Sequence, residues 1–251
     1  MRCLVFICVL LAPSAFADDA AHLIAFSQGR YSEAVDLADA APNEDNLAFA
    51  ARALLAEAMS APDHSPPQAL VIRAEDHARA ALELNPDHVE ARLQLAIALS
   101  LRARPMTTRE ARRSGYGDDA RDLVRSVLVD DPDNLYAHGF MAVWNLEVVR
   151  RGGGLGAAIM GASVKQARRH YHAAIALAPD DASTHWQYAK ALTALDADKY
   201  RDEIDTALNA ALAASANSEL EALMQARASQ LRLALQTLPH HDCETLAERM
   251  L

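Results

Sequence analysis

Three stretches of the chain repeat one arrangement of apolar and polar positions. Ala74, Ala78, Ala81 and Pro86 stand at offsets 0, 4, 7 and 12, and Ala120, Val124, Val127 and Pro132 fill the same offsets, as do Ala167, Tyr171, Ala174 and Pro179. Steps of four and three return to one face of an α-helix of about 3.6 residues per turn. Each stretch therefore predicts a helix with a narrow stripe of small or apolar residues. The proline that follows lacks the N–H needed to continue the helical ladder and marks its end. Asp follows each proline, and a second amphipathic segment then starts near Val89, Leu135 and Ala182. Within it a large apolar residue precedes an alanine at one fixed place: Leu95-Ala96, Met141-Ala142 and Tyr188-Ala189. A small residue there lets two helices approach closely.

In these residues the chain resembles the tetratricopeptide-repeat family. Ala-Leu-Glu-Leu-Asn-Pro at 81–86, Val-Leu-Val-Asp-Asp-Pro at 127–132 and Ala-Ile-Ala-Leu-Ala-Pro at 174–179 are similar to the family's second-helix ending. Weaker copies extend the resemblance over about residues 20–216: Gly29, Tyr31, Ala34, Ala38 and Pro42 at the start, and Ala207, Ala211 and Ala214 at the end. The resemblance implies an all-α fold, a right-handed superhelical solenoid of stacked antiparallel helix pairs. The repeat region spans 18–216, with units near 20–42, 43–86, 87–132, 133–179 and 180–216. Leu220, Leu223, Met224, Leu231, Leu235 and Leu238 then predict one amphipathic helix within 217–238, suited to cap a solenoid. Residues 239–251 read as a short, loosely held tail.

The sequence departs from the family pattern in two ways. The prolines at 42, 86, 132 and 179 are 44, 46 and 47 residues apart, whereas the family unit is about 34 residues. The surplus lies inside the hairpins, so either the helices are lengthened or the tips carry extra structure. The family's frequent first-helix tryptophan is replaced by Arg92, His138 and His185.

The family's first helices line a concave groove. Carried over by position, the resemblance implies a peptide-binding groove of Glu90, Leu93, Ile97, Tyr136, Val143, Glu147, Trp186 and Lys190. Tyr136 and Trp186 are its expected anchors, because each joins a large apolar area to a polar tip. A basic rim is expected from Arg102, Arg104, Arg109, Arg112, Arg113, Arg150 and Arg151, at two predicted hairpin tips. Guanidinium groups there would meet acidic or phosphate groups through paired hydrogen bonds.

The first seventeen residues change the expected destination. Arg2 precedes an apolar run from Cys3 to Ala12, and Ala15-Phe16-Ala17 has the small-x-small pattern of a signal-peptidase site. A run of about ten residues is half of what a membrane span needs, so 1–17 reads as a secretory signal peptide cleaved after Ala17. The expected location is periplasmic or secreted, with no membrane span after cleavage. Cys3 and Cys8 would leave with that segment, and Cys243 would remain alone, either free or paired between chains.

Composition narrows the function. The 251 residues carry a net charge of −10, which excludes a generally basic nucleic-acid binder. Gly156 and Gly161 have phosphate-loop spacing, but Ala162 stands where that loop needs lysine. His240, His241, Asp242 and Cys243 offer metal-ligand types without the spaced pairs of a zinc site. No nucleophile-and-base set or pair of catalytic carboxylates emerges. The expectation is a non-enzymatic interaction module with no cofactor or metal. It would hold a peptide of an envelope protein in its groove, or serve as an accessory subunit whose arginine-rich tips meet anionic polymers or lipid.

Overall fold

The computed structural model describes residues 15–250 and, among them, thirteen helices and no strand. Most of the expected export segment therefore lies outside the described residues. The helices are α1 (Ala15–Ser27), α2 (Tyr31–Asp39), α3 (Glu44–Met59), α4 (Gln68–Leu84), α5 (Val89–Ala103), α6 (Thr108–Ser114), α7 (Tyr116–Asp130), α8 (Leu135–Met160), α9 (Val164–Leu177), α10 (Ala182–Leu195), α11 (Arg201–Ala213), α12 (Glu219–Thr237) and α13 (His240–Met250). They stack as pairs: α1 with α2, α3 with α4, α5 with α7, α8 with α9, and α10 with α11. This is an all-α solenoid.

The repeated offsets do the predicted packing. Ala74, Ala78 and Ala81 on α4, Ala120, Val124 and Val127 on α7, and Ala167, Tyr171 and Ala174 on α9 are all buried. On α11 the buried stripe is Ile204, Ala207, Leu208 and Ala211, and Ala214 is the C-cap. Pro86, Pro132 and Pro179 each lie in a turn whose next-but-one residue caps the following helix. His88, Asn134 and Asp181 accept hydrogen bonds from the backbone N–H of Ala91, Ala137 and Thr184. A cap of this kind contributes about 1 kcal/mol by satisfying a free N–H at the helix start.

The surplus residues inside the hairpins are accommodated in two ways. Between α5 and α7 the chain inserts α6, a single short helix opened by a reciprocal Thr107–Glu110 capping box and ended by Gly115 at φ +76°. Between α8 and α9 the first helix itself is lengthened to 26 residues, and Gly153, at φ 58° and ψ −166°, kinks it. That conformation strains any residue with a Cβ.

The residues at the family's tryptophan position share one role. Arg92 donates to the carbonyl of Asp87, and ring nitrogens of His138 and His185 lie 2.9 Å and 2.8 Å from the carbonyls of Pro132 and Pro179. Each ties the first helix of its repeat back to the turn before it. Each also reaches a neighbouring helix: Arg92 to Asp130, His138 to His170, and His185 to the Tyr171 hydroxyl. Polar anchoring has replaced aromatic packing at this position.

Two cores meet at α8. Ala137, Met141 and Trp144 join the core built from α1 to α7. Ala142 and Leu146 join the core built from α9 to α13. The deepest element is α10, which packs against α8, α9, α11, α12 and α13.

Candidate interaction groove

Counted from the repeat proline, Glu90 and Tyr136 stand four residues on, Leu93 and Trp186 seven, and Ile97, Val143 and Lys190 eleven. Leu93 and Trp186 are only 5% and 2% exposed. The seventh position therefore packs inward, and neither residue is groove surface as expected. Glu90, Ile97, Val143 and Glu147 are half-buried. Tyr136 is 65% exposed. Even so, its hydroxyl is held protonated above the ordinary range by the enclosing walls and by the negative charge of Asp181, with Arg52 opposing. Arg52 on α3 pairs with Glu90 at 2.6 Å, and Gln94 also donates to Glu90.

Lys190 is the second departure, and its cause is the end of the chain. Residues 239–251 were expected to trail loosely, yet they form α13 through Met250. That helix lies against α10, and Lys190 Nζ donates to the Met250 carbonyl at 3.0 Å. Lys190 is therefore covered rather than free to meet a partner. Its pKa falls to about 7 because burial penalises its charge and because Arg104 and Arg227 lie nearby, with Glu147 compensating in part. Arg104 donates to the Arg249 carbonyl, and Arg150 pairs with Glu248 at 2.5 Å. Glu244 accepts the Ala197 N–H. Cys243 is 1% exposed in the second core, so pairing between chains requires α13 to leave.

A further cation closes the superhelix. Arg227 on α12 donates to the carbonyls of Met59 at 2.7 Å and Ala61 at 2.9 Å. A cation at a helix C-terminus meets the negative end of the helix dipole. The turn before α2 also abuts α12: a Cβ on Gly29 would come within 3.1 Å of the Glu219 Cβ. The helix after the last repeat thus reaches the first two helix pairs. His64, at φ 58° in the loop after α3, completes this basic centre. Burial and the charges of Arg227 and Arg104 hold its pKa below the usual value. The sequence offers no local signal for Arg227 or His64 as partners of this centre, since their contacts span the whole chain.

The rim arginines divide. Arg102 pairs with Glu75, Arg104 and Arg150 hold α13, and Arg151 donates to the carbonyls of Ala103 and Met106. Arg109, Arg112 and Arg113 are exposed on or beside the turns of α6 and make no ion pair among the described residues. Leu155 and Ile159, 77% and 58% exposed, lie on the adjoining end of α8.

The histidines form a second polar cluster. His138 Nδ1 and His170 Nδ1 are 2.9 Å apart. His138 turns its other nitrogen to a carbonyl and must donate there. In neutral form it accepts from His170. Burial and the nearby charges of His138, Arg169 and Arg125 lower the His170 pKa to about 4. Among the described residues no cluster of three or more metal-ligating side chains occurs, and no helix is long and apolar enough to cross a membrane.

A thermophilic TPR protein of Thermus thermophilus superposes with a TM-score of 0.53, at 18% identity, over 91% of this chain and 97% of its own. This chain has the tetratricopeptide-repeat fold. A monomeric mutant of IFIT1 with Gppp-AAAA matches at a TM-score of 0.47 and 15% identity, over 87% of this chain and 55% of that one. No protein-family model matches the sequence, and no curated protein matches it. The tetratricopeptide-repeat architecture is therefore carried here by the 0–4–7–12 spacing, with lengthened hairpins and polar anchors as its departures.

Proposed function

We propose that this tetratricopeptide-repeat chain is an exported, non-enzymatic scaffold that seats a segment of an envelope protein on its concave face. Tyr136 carries the reading. It is a large aromatic side chain left 65% exposed among charged residues from α3, α5 and α12. A rigid aromatic anchor ringed by polar groups is the usual energetic centre of a peptide site. Glu90, Ile97, Val143 and Glu147 form the rest of that surface, and Trp186, buried in the second core, does not touch the partner. Export, and with it a periplasmic or secreted location, rests on residues 1–17. The test is site-specific photo-crosslinking in the native cell from position 136, with exposed Glu83 on α4 as the outer-face control. One dominant protein adduct at 136, absent at 83 and lost with excess purified partner, supports the scaffold. Equal adduct patterns at the two positions refute it.

A second reading draws on Arg109, Arg112 and Arg113, exposed and without an ion pair among the described residues, and on exposed Leu155 and Ile159. It makes the chain an accessory subunit meeting anionic polymers or lipid at its tips. It requires salt-sensitive binding that Tyr136→Ala leaves intact and that charge reversal at Arg112 and Arg113 abolishes.

A further inference from the structure

The segment α13 packs on α10 and α12. It follows α12 after a break of only Leu238 and Pro239. Its buried residues are Cys243, Ala247 and Met250, at offsets 0, 4 and 7. That is the stripe that opens the second helix of each repeat, with small residues at the first two places. Leu246 packs against the same core, and polar contacts add to it, three of them on the last turn. Lys190 and Arg104 take the carbonyls of Met250 and Arg249, Arg150 takes Glu248, and Glu244 caps the Ala197 N–H. These cations come from three separate elements and converge on the last turn of one short helix, where the helix dipole is negative. An eleven-residue helix is marginal in isolation, so its structure depends on its seat.

We infer that the cleft on α10 and α12, with Lys190, Arg104 and Arg150 at its closed end, is a receptor for the last turns of an amphipathic helix. In this structure α13 fills it in cis. A partner helix with small residues at offsets 0 and 4, an apolar residue at 7, and carboxylates at 1 and 5 displaces α13 and takes the same contacts. The inference rests on the scaffold reading for its biological setting, but the cleft is distinct from the Tyr136 surface. It also explains why the repeat position that leaves Ile97 and Val143 half-exposed buries Lys190. At Lys190 the concave face carries an occupant.

The test uses the full chain and the buried thiol of Cys243 as reporter. A synthetic peptide covering residues 239–250, carrying Cys243→Ser, is titrated in, and labelling of Cys243 by a maleimide is followed by peptide-resolved mass spectrometry. Displacement predicts that labelling speeds up at least tenfold and saturates with peptide. The same peptide carrying Ala247→Arg leaves the rate unchanged. In the absence of peptide, Cys243 labels much faster than the amides of α10 exchange with deuterium, because α13 opens without global unfolding. If labelling does not respond to peptide, if the Ala247→Arg peptide acts equally, or if Cys243 and the α10 amides open at the same rate, α13 is a fixed part of the core and the inference fails. A full chain carrying Ala247→Glu gives a second measure: it retains its helical circular dichroism and binds the labelled peptide directly by anisotropy. Failure of the peptide to bind a folded Ala247→Glu chain also overturns the inference. None of these results bears on crosslinking at position 136, so the two readings fail separately.

Discussion

Ile97, Val143 and Lys190 occupy one position in three successive repeats, yet the first two are half-exposed and the third is only 5% exposed. The repeat dictates that all three point toward the superhelix interior. What differs is the far wall. Around α5 and α8 the interior remains open enough to leave Tyr136 65% exposed. Around α10 the end of the chain folds back and covers the lysine. Facing inward is thus a property of the repeat, whereas being wet or dry is a property of whatever lies opposite. A lysine at the filled end also changes the chemistry. Its charge is penalised by burial there, where an aliphatic side chain would fit at no such cost.

The largest expected effect separates the two anchors named from the sequence. Trp186→Ala should lower stability by about 3–5 kcal/mol through loss of a buried aromatic, while Tyr136→Ala should stay within about 0.5 kcal/mol, as exposed positions do. Urea unfolding followed by circular dichroism measures both, and equal losses would erase the contrast between the two halves. Closure comes next. Arg227→Ala removes a cation from two carbonyls at and just beyond the C-terminal end of α3. A loss of about 2–3 kcal/mol is expected from two charge-assisted hydrogen bonds, together with a larger radius of gyration by small-angle scattering. An unchanged radius would mean that the ends stay together without Arg227.

The lysine itself makes a pH-dependent prediction. Its folded pKa of about 7 lies below its ordinary value of 10.5, so the unfolded chain binds the extra proton between those limits. Stability should therefore rise as pH increases from about 7 toward 10.5 and level off below 7. A change on the order of a few kcal/mol across that window is expected, because each pH unit between the two values is worth about 1.4 kcal/mol. Lys190→Met should flatten that part of the profile, and an equally steep profile in the variant would assign the effect elsewhere. The smallest effect belongs to the histidine pair. His170 has a folded pKa of about 4, against an ordinary value of 6.5. The native state thus resists the proton, and stability should fall as pH drops from 6.5 toward 4. Thermal melts of His170→Asn across that range should show a shallower decline.

Much of the architecture was legible because helix periodicity and proline stops act locally. The 0–4–7–12 offsets mark the buried faces of α4, α7 and α9, and Thr107 with Glu110 marks the start of α6. The groove was less legible. Leu93 and Trp186 share their repeat position and are both buried, a fact that follows from neighbouring first helices packing together rather than from either residue's type. The contacts of Arg104, Arg150 and Arg227 with groups far along the chain carry no sequence signature, because nothing local to an arginine says which distant carbonyl or carboxylate it will meet. One signal for α13 was present: Cys243, Ala247 and Met250 repeat the second-helix stripe. Read alone, eleven residues at a chain end are too few to fold without a seat.

The sequence by itself determined the helices of the repeat region, their pairing and the buried stripe of each second helix, because those follow from periodicity, capping and the steric bar at proline. Only the tertiary structure decided which inward-facing positions remain open. Superhelical closure through Arg227 and the return of α13 onto α10 join residues more than a hundred positions and about sixty positions apart, and burial depends on what those distant segments bring against a surface.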